Sequence, residues 1–262
     1  MFEFVRYDGR RRFRGSLSLS LAMAVLAAIM VWLFPSYSEA FGDDEELLEA
    51  MPEAMIRLFD LQSMTSLEGF LAFELYVFGW IILLGLYLAY LAAGTIADDV
   101  DRGRTDILLA MPLSRARLVG ETFAALAVPI LAVNVLTPVV LYVGAELIDE
   151  PLAASDLLAV HLLSIPYLFA CAGVGLLASV VFDRASIAQR TALGVTFVLY
   201  FLESLLVETD YEALGLVAPS RYFDPNEILL DGTYDLTSAG VLVVMALALL
   251  VASQLWFSRR DI

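Results

Sequence analysis

A chain of 262 residues with 60% hydrophobic side chains is too apolar for a soluble domain, where roughly 45–50% is usual. All fifteen basic residues are arginine, and they face thirty-one acidic ones for a net charge of −16. Without lysine there is no GxxxxGK[ST] loop to cradle nucleotide phosphates, and with one cysteine (Cys171) and one histidine (His161) there is no intrachain disulfide and no two-histidine metal site.

Several apolar runs reach the eighteen or more residues that a membrane span requires, so the fold class is all-α and integral to a membrane. Its core is helices packing in lipid rather than burial from water. High acidity without lysine suggests a host whose surfaces face concentrated salt, as in a halophile.

Residues 1–14 are basic, with Phe2, Phe4, Val5 and Phe13 interleaved, and read as an interfacial segment at an anionic leaflet or a plain positive flank. Span one covers 15–38; its apolar stretch Leu17–Phe34 exceeds the ~7–15 residues of a signal-peptide core, so it is read as a retained helix. Residues 39–68 are acidic, with Leu47, Leu48, Met51, Met55, Leu58 and Phe59 at helical spacing, and are expected to form one or two short surface helices interrupted at Pro52. Span two covers 69–97, with Glu74 one turn inside its outer end. Span three covers 118–145, bent by Pro129 and Pro138, with Asn134 and Thr137 turned toward other helices. Span four covers 157–182, where Ala172, Gly173 and Gly175 permit close helix contact. An inner loop, Asp183–Arg190, leads to span five at 191–207, which contains Glu203. A turn-rich outer segment with Pro219, Pro225 and Asp231-Gly232 precedes span six at 236–257.

Arginine placement orients this array. Arg6, Arg10, Arg11, Arg12, Arg14, Arg102, Arg104, Arg115, Arg117, Arg184, Arg190, Arg259 and Arg260 fall on the side of the termini; only Arg57 and Arg221 fall on the other. The positive-inside rule then puts both termini in the cytoplasm.

The longest charged break between apolar runs is the loop 98–117, with Asp98, Asp99, Asp101 and Asp106 beside four arginines. Thr105 can cap a short helix through Met111 that places Ile107, Leu108 and Met111 on one face; Pro112 stops it, and Ser114 caps span three. A structured loop at the membrane surface is a candidate docking element for a soluble partner. Taken alone, it reads equally well as a solvated positive-inside loop.

The run Gly94-x-Ile96-Ala97-Asp98-Asp99, Gly103-Arg104-Thr105, Leu108-Leu109-Ala110-x-Pro112-Leu113-Ser114-Arg115 resembles the segment between spans two and three of ABC-2-type ABC transporter membrane subunits. The similar branch includes copper-enzyme maturation and antibiotic-export permeases, here in a halophilic archaeal type. Weaker echoes are Met51-Pro52-Glu53-Ala54, Ala218-Pro219-Ser220-Arg221-Tyr222, Asp231-Gly232 and Arg259-Arg260-Asp261. Asp98 and Asp99 depart from the family's more usual Glu, and Glu121 stands where Lys is frequent. The resemblance covers nearly the whole chain and implies one transmembrane domain, 1–262, in the plasma membrane. It further implies pairing with a second copy or a paralogue to form a translocation path, and export driven by two separate ATPase subunits. ATP and Mg would sit on those partners, with no cofactor and no catalytic residue on this chain. By the same resemblance residues 1–14 would be a connecting helix and 98–117 the main coupling helix, with Asp98, Asp99, Gly103, Thr105, Leu108, Leu109, Pro112, Ser114 and Arg115 carrying the coupling.

Two other classes were weighed. A non-transporting anchor or assembly protein fits the small-residue faces equally well. An intramembrane enzyme needs a Ser–His pair, paired carboxylates or metal ligands within the spans; His161 has no GxSxG-like partner, and packing is its simpler role. Met51, Met55 and Met64 could suit a soft metal cargo, but Met51 and Met55 share the apolar face of a surface helix, where packing is the expected role.

Overall fold

The computed structural model describes residues 3–41 (with side chains from 15 to 40), 51–52, 55–56, 65–103, 114–207 and 209–260. Among these residues there is no β-strand, and six helices are long and apolar enough to cross a membrane. Helix α1 runs Glu3–Phe41 and α2 Leu67–Asp101. The third span is two helices, α3 (Arg115–Ala125) and α4 (Ala127–Leu147). Then follow α5 (Ala154–Val181), α6 (Ala185–Leu206), the short α7 (Pro225–Leu229) and α8 (Leu236–Arg259).

The helix starts have local causes. Ser66 Oγ accepts from Gly69 N at 3.1 Å ahead of α2, with Glu68 in the first turn where the helix dipole favours an anion. Ser114 Oγ accepts from Arg117 N at 3.3 Å, the cap expected for span three. Asp235 Oδ1 accepts from Thr237 N and Ser238 N and starts α8. The break at Leu126 follows from Pro129. A proline lacks an amide donor and crowds the carbonyl four residues back, but is tolerated in a first turn, so the helix restarts at Ala127. Pro138 lies inside α4.

Four features differ from the sequence reading. Residues 3–14 are not separate from span one; they are the first turns of a single helix, α1. The expected inner loop Asp183–Arg190 is mostly helix, because α6 begins at Ala185 and extends past the apolar run, with Arg190 exposed. Within α2, residues Ala72–Leu84 form a π-helix, which the uniformly apolar sequence does not signal. Such i→i+5 segments rarely exceed one turn. One carbonyl of this segment, that of Ile81, accepts the Tyr167 hydroxyl from α5 at 2.8 Å. Met55, expected to pack, is 45% exposed. Of the segment 42–64, only residues 51–52 and 55–56 are described, so the expected surface helices with Leu47, Leu48, Leu58 and Phe59 lie outside the described residues.

Helix α5 is the hub of the bundle and packs on α2, α4, α6 and α8. Its small residues make this possible. A Cβ on Gly175 would lie 2.0 Å from the backbone oxygen of Ala89, and one on Gly173 would lie 3.0 Å from Leu249 Cβ. Helices α6 and α8 are the least enclosed, with 22% and 17% of their apolar windows buried, and present Phe197, Phe201, Val244 and Leu255 outward. On the face opposite the termini, the segment before α8 folds over the bundle, and Phe223 stacks on Tyr167 at 5.6 Å. There Arg221 bonds Glu212 at 2.5 Å, and Glu203 lies nearby; this pairing holds the guanidinium even more firmly protonated than usual.

Candidate functional site

Six antiparallel spans bring the end of α2, the start of α3, the start of α6 and both termini to one end of the bundle. The central loop emerges there. Two turns before it leaves, the backbone of α2 is held from outside: the N–H groups of Ile96 and Ala97 both donate to Ser179 Oγ of α5, each at 2.9 Å. Thr95 Oγ1 donates to the Ala92 carbonyl at 2.6 Å. A foreign side chain among the ladder groups of a helix is a recognised origin of bends, so this point is a candidate pivot of α2.

Beyond the pivot, Asp98 pairs with Arg102 at 2.9 Å, one turn on, and Asp101 Oδ2 accepts from Ala185 N at 3.3 Å, tying α2 to the start of α6. Gly103 has φ +62°, a left-handed conformation that glycine adopts without cost, and its N–H donates to Val100 O. Gly103 is therefore the stop signal of α2. Its expected importance has a local cause.

Where the chain returns, Arg115 reaches the C-terminal end of α8. Its guanidinium donates to the Arg260 carbonyl and sits 6.0 Å above the Phe257 ring. Arg260 in turn donates to Val180 O at 2.6 Å and pairs with Asp183. Gln254 Nε2 donates to Ala116 O at 3.0 Å. This clasp joins the ends of α3, α5 and α8. Behind it, Glu121 is buried and bonds Arg117 at 2.7 Å through one oxygen, while Oε2 has no hydrogen-bond partner among the described residues.

Between α1, α2, α3 and α6 at this end lies a cavity of about 540 Å³. Tyr87, Tyr90, Thr95, Asp98 and Asp99 line it from α2, with Gln189 from α6 opposite.

Deeper in the bundle, four buried polar side chains form one set. His161 Nδ1 and Asn134 Oδ1 are 3.0 Å apart, His161 Nε2 and the Tyr76 hydroxyl 3.1 Å, and Ser164 Oγ donates to Asn134 Oδ1 at 2.9 Å. Asn134 Nδ2 donates to Ile130 O. Because Oδ1 only accepts, His161 donates from Nδ1, and its Nε2 accepts a hydrogen bond from the Tyr76 hydroxyl, so both ring nitrogens are engaged. The set ties α2, α4 and α5 together.

Of the expected coupling residues, Asp98, Asp99, Gly103, Ser114 and Arg115 gather at this end of the bundle; Thr105, Leu108, Leu109 and Pro112 lie outside the described residues. Sequence reading missed Ser179, Gln189, Gln254 and Arg260. Ser179 is a lone hydroxyl in an apolar run, and its partners are backbone groups, which leave no mark in the sequence. Arg260 was visible only as a tail charge.

The family model described as "Multidrug efflux system permease Rv1217c, C-terminal domain" matches residues 10–258. No curated protein matches the chain. A match over nearly the full length, on six membrane-length helices, makes the chain a multi-pass membrane protein of the permease type, and it belongs to the family of the C-terminal domain of the multidrug efflux system permease Rv1217c.

Proposed function

We propose that the chain is the gate-forming subunit of an ATP-driven ABC-2-type exporter in the plasma membrane, with both termini cytoplasmic. A second copy or a paralogue completes the translocation path, and a separate ATPase docks on the loop 98–117. The observation that carries this reading is the match of residues 10–258 to an efflux permease family, on a bundle whose central loop leaves from a pivot. Closure of the ATPases would push the loop. Ser179 would let the inner end of α2 swing about Ile96 and Ala97, and the clasp of Arg115 and Arg260 would carry the stroke into α5 and α8. A two-state gate responds only to differential binding, and the loop supplies a surface on which a nucleotide-bound partner can favour one state.

The test is reconstitution with an ABC ATPase subunit from the same host. Leu108→Asp, placing a charge on the docking face, is expected to insert normally while transport no longer follows ATP hydrolysis. Coupled transport at the unmodified level in that variant would remove the loop from the mechanism.

A further inference from the structure

Helix α2 carries a hydrogen-bond register that its neighbours must hold in place. Its π segment, Ala72–Leu84, is 13 residues long, whereas i→i+5 stretches are mostly single turns. The return to α-helix falls at Gly85. There the Gly85 N–H turns to the carbonyls of Trp80 and Ile82 and passes over Ile81 O, the acceptor that an α-helical pattern would give it. A buried carbonyl left out of the ladder needs another donor. The Tyr167 hydroxyl of α5 supplies it at 2.8 Å. Gly85 makes room for this bond, because a Cβ there would lie 2.7 Å from the same hydroxyl oxygen. The ring that carries the hydroxyl is itself fixed, buried and stacked on Phe223. Donor, gap and skipped acceptor therefore coincide at the step where the register changes.

The same register aims two side chains. Tyr76 and Trp80 both lie in the π segment and both meet His161, the first at 3.1 Å from Nε2, the second edge-on with ring centroids 5.0 Å apart. Trp80 is fully buried, yet its Nε1–H has no hydrogen-bond partner among the described residues. A buried donor left stranded stores strain. We propose that the first half of α2 is a register switch, held in its π state by the Tyr167 hydroxyl and released to an α register when that hydroxyl leaves Ile81 O. On release the Gly85 N–H takes Ile81 O, and the change of pitch carries Tyr76 off His161 Nε2. The switch links a contact beneath the segment before α8 to the polar set of α2, α4 and α5 through backbone alone, with Tyr167 as its positioning residue. It goes beyond the permease reading and depends on neither cargo nor ATPase.

Two isotope labels report the switch without ambiguity. Ile81-Ile82 is the sole Ile-Ile step in the sequence and His161 the sole histidine, so labelled isoleucine and histidine single out one carbonyl and one ring. The measurement is solid-state NMR on the full-length chain in lipid bilayers. In the unmodified chain the Ile81 carbonyl should show a through-space contact to a tyrosine Cζ, which needs no variant to fold. Tyr167→Phe keeps the ring on Phe223 and removes the donor, and Gly85→Ala drives the hydroxyl away with a methyl. Both should shift the Ile81 carbonyl resonance and also, more than one turn away, the His161 Nε2 resonance as Tyr76 departs. Gly194→Ala, with open space around its Cβ, should move neither. A shifted Ile81 carbonyl with His161 Nε2 unmoved in both variants would reduce the hydroxyl to a local bond and overturn the switch. Absence of the tyrosine contact in the unmodified chain, unchanged resonances in both variants, or equal shifts in Gly194→Ala would overturn it as well.

Discussion

Removing the hydroxyl of Ser179 would leave the N–H groups of Ile96 and Ala97 without that acceptor in a buried site. Interhelical hydrogen bonds in membranes average ~0.6 kcal/mol, and a stranded buried donor costs about 1–3 kcal/mol. Ser179→Ala should therefore lower the melting temperature modestly and speed amide exchange at Ile96 and Ala97 while leaving Leu88 protected. Unchanged exchange at those two amides would mean that the hydroxyl does not hold the pivot. Glycine gives a sharper contrast. Gly175→Ala drives a methyl into the Ala89 backbone, which cannot yield as a side chain can, and is expected to cost at least the ~1–3 kcal/mol of overpacking. Gly194→Ala, with open space around its Cβ in the middle of α6, should be neutral or stabilising by up to ~1 kcal/mol. Thermal unfolding of the two variants in one detergent decides the matter.

At the scale of elements, α8 is held at both ends by single side chains. Asp235 caps its start, and hydrogen bonds from Ser238 and Thr237 hold that carboxyl below its ordinary value. A depressed carboxyl stabilises the fold above its unfolded pKa, and the contribution is lost as pH falls through the lower folded value. Acidification below the ordinary carboxylate range should thus loosen the first turn of α8, seen as faster exchange at Thr237 and Ser238, and Asp235→Asn should blunt that pH dependence. The site is exposed, so the effect is small. At the other end, Arg115→Lys keeps the charge but loses the planar fork over Phe257. It should insert and assemble normally while transport per ATP falls. The Ser114 cap was legible in the sequence because it is local, acting within one turn of its own helix; the stop at Gly103 was not, because it lies beyond the apolar run that marked span two. The clasp was not, because Arg115 and Arg260 are distant in the chain and meet only through the packing of α3 on α8. The π-helix in α2 was equally hidden; its signature is a hydrogen-bond register, and neither glycine nor proline punctuates Ala72–Leu84 beyond Gly79.

For the whole molecule, six spans could be read from the apolar runs, since lipid forces every backbone group into a helix and fixes its minimum length. Span ends moved by a few residues at most helices and furthest at α1, which starts at Glu3; at α6 too the helix continues into polar sequence. Which helix occupies the centre was half legible. Gly173 and Gly175 marked α5 as a close-packing surface, but nothing in the sequence named Ala89 as the partner. Likewise the carboxylates of the central loop were evident, whereas the cavity behind them needs four helices to exist. The central claim concerns the loop itself, and one measurement addresses it directly. A photo-crosslinking residue at position 108, in native-host cells, should yield a covalent complex with an ABC ATPase subunit, while the same group at Leu214 on the opposite face should yield none. Absence of the complex from position 108, or its appearance from Leu214 instead, would contradict the account.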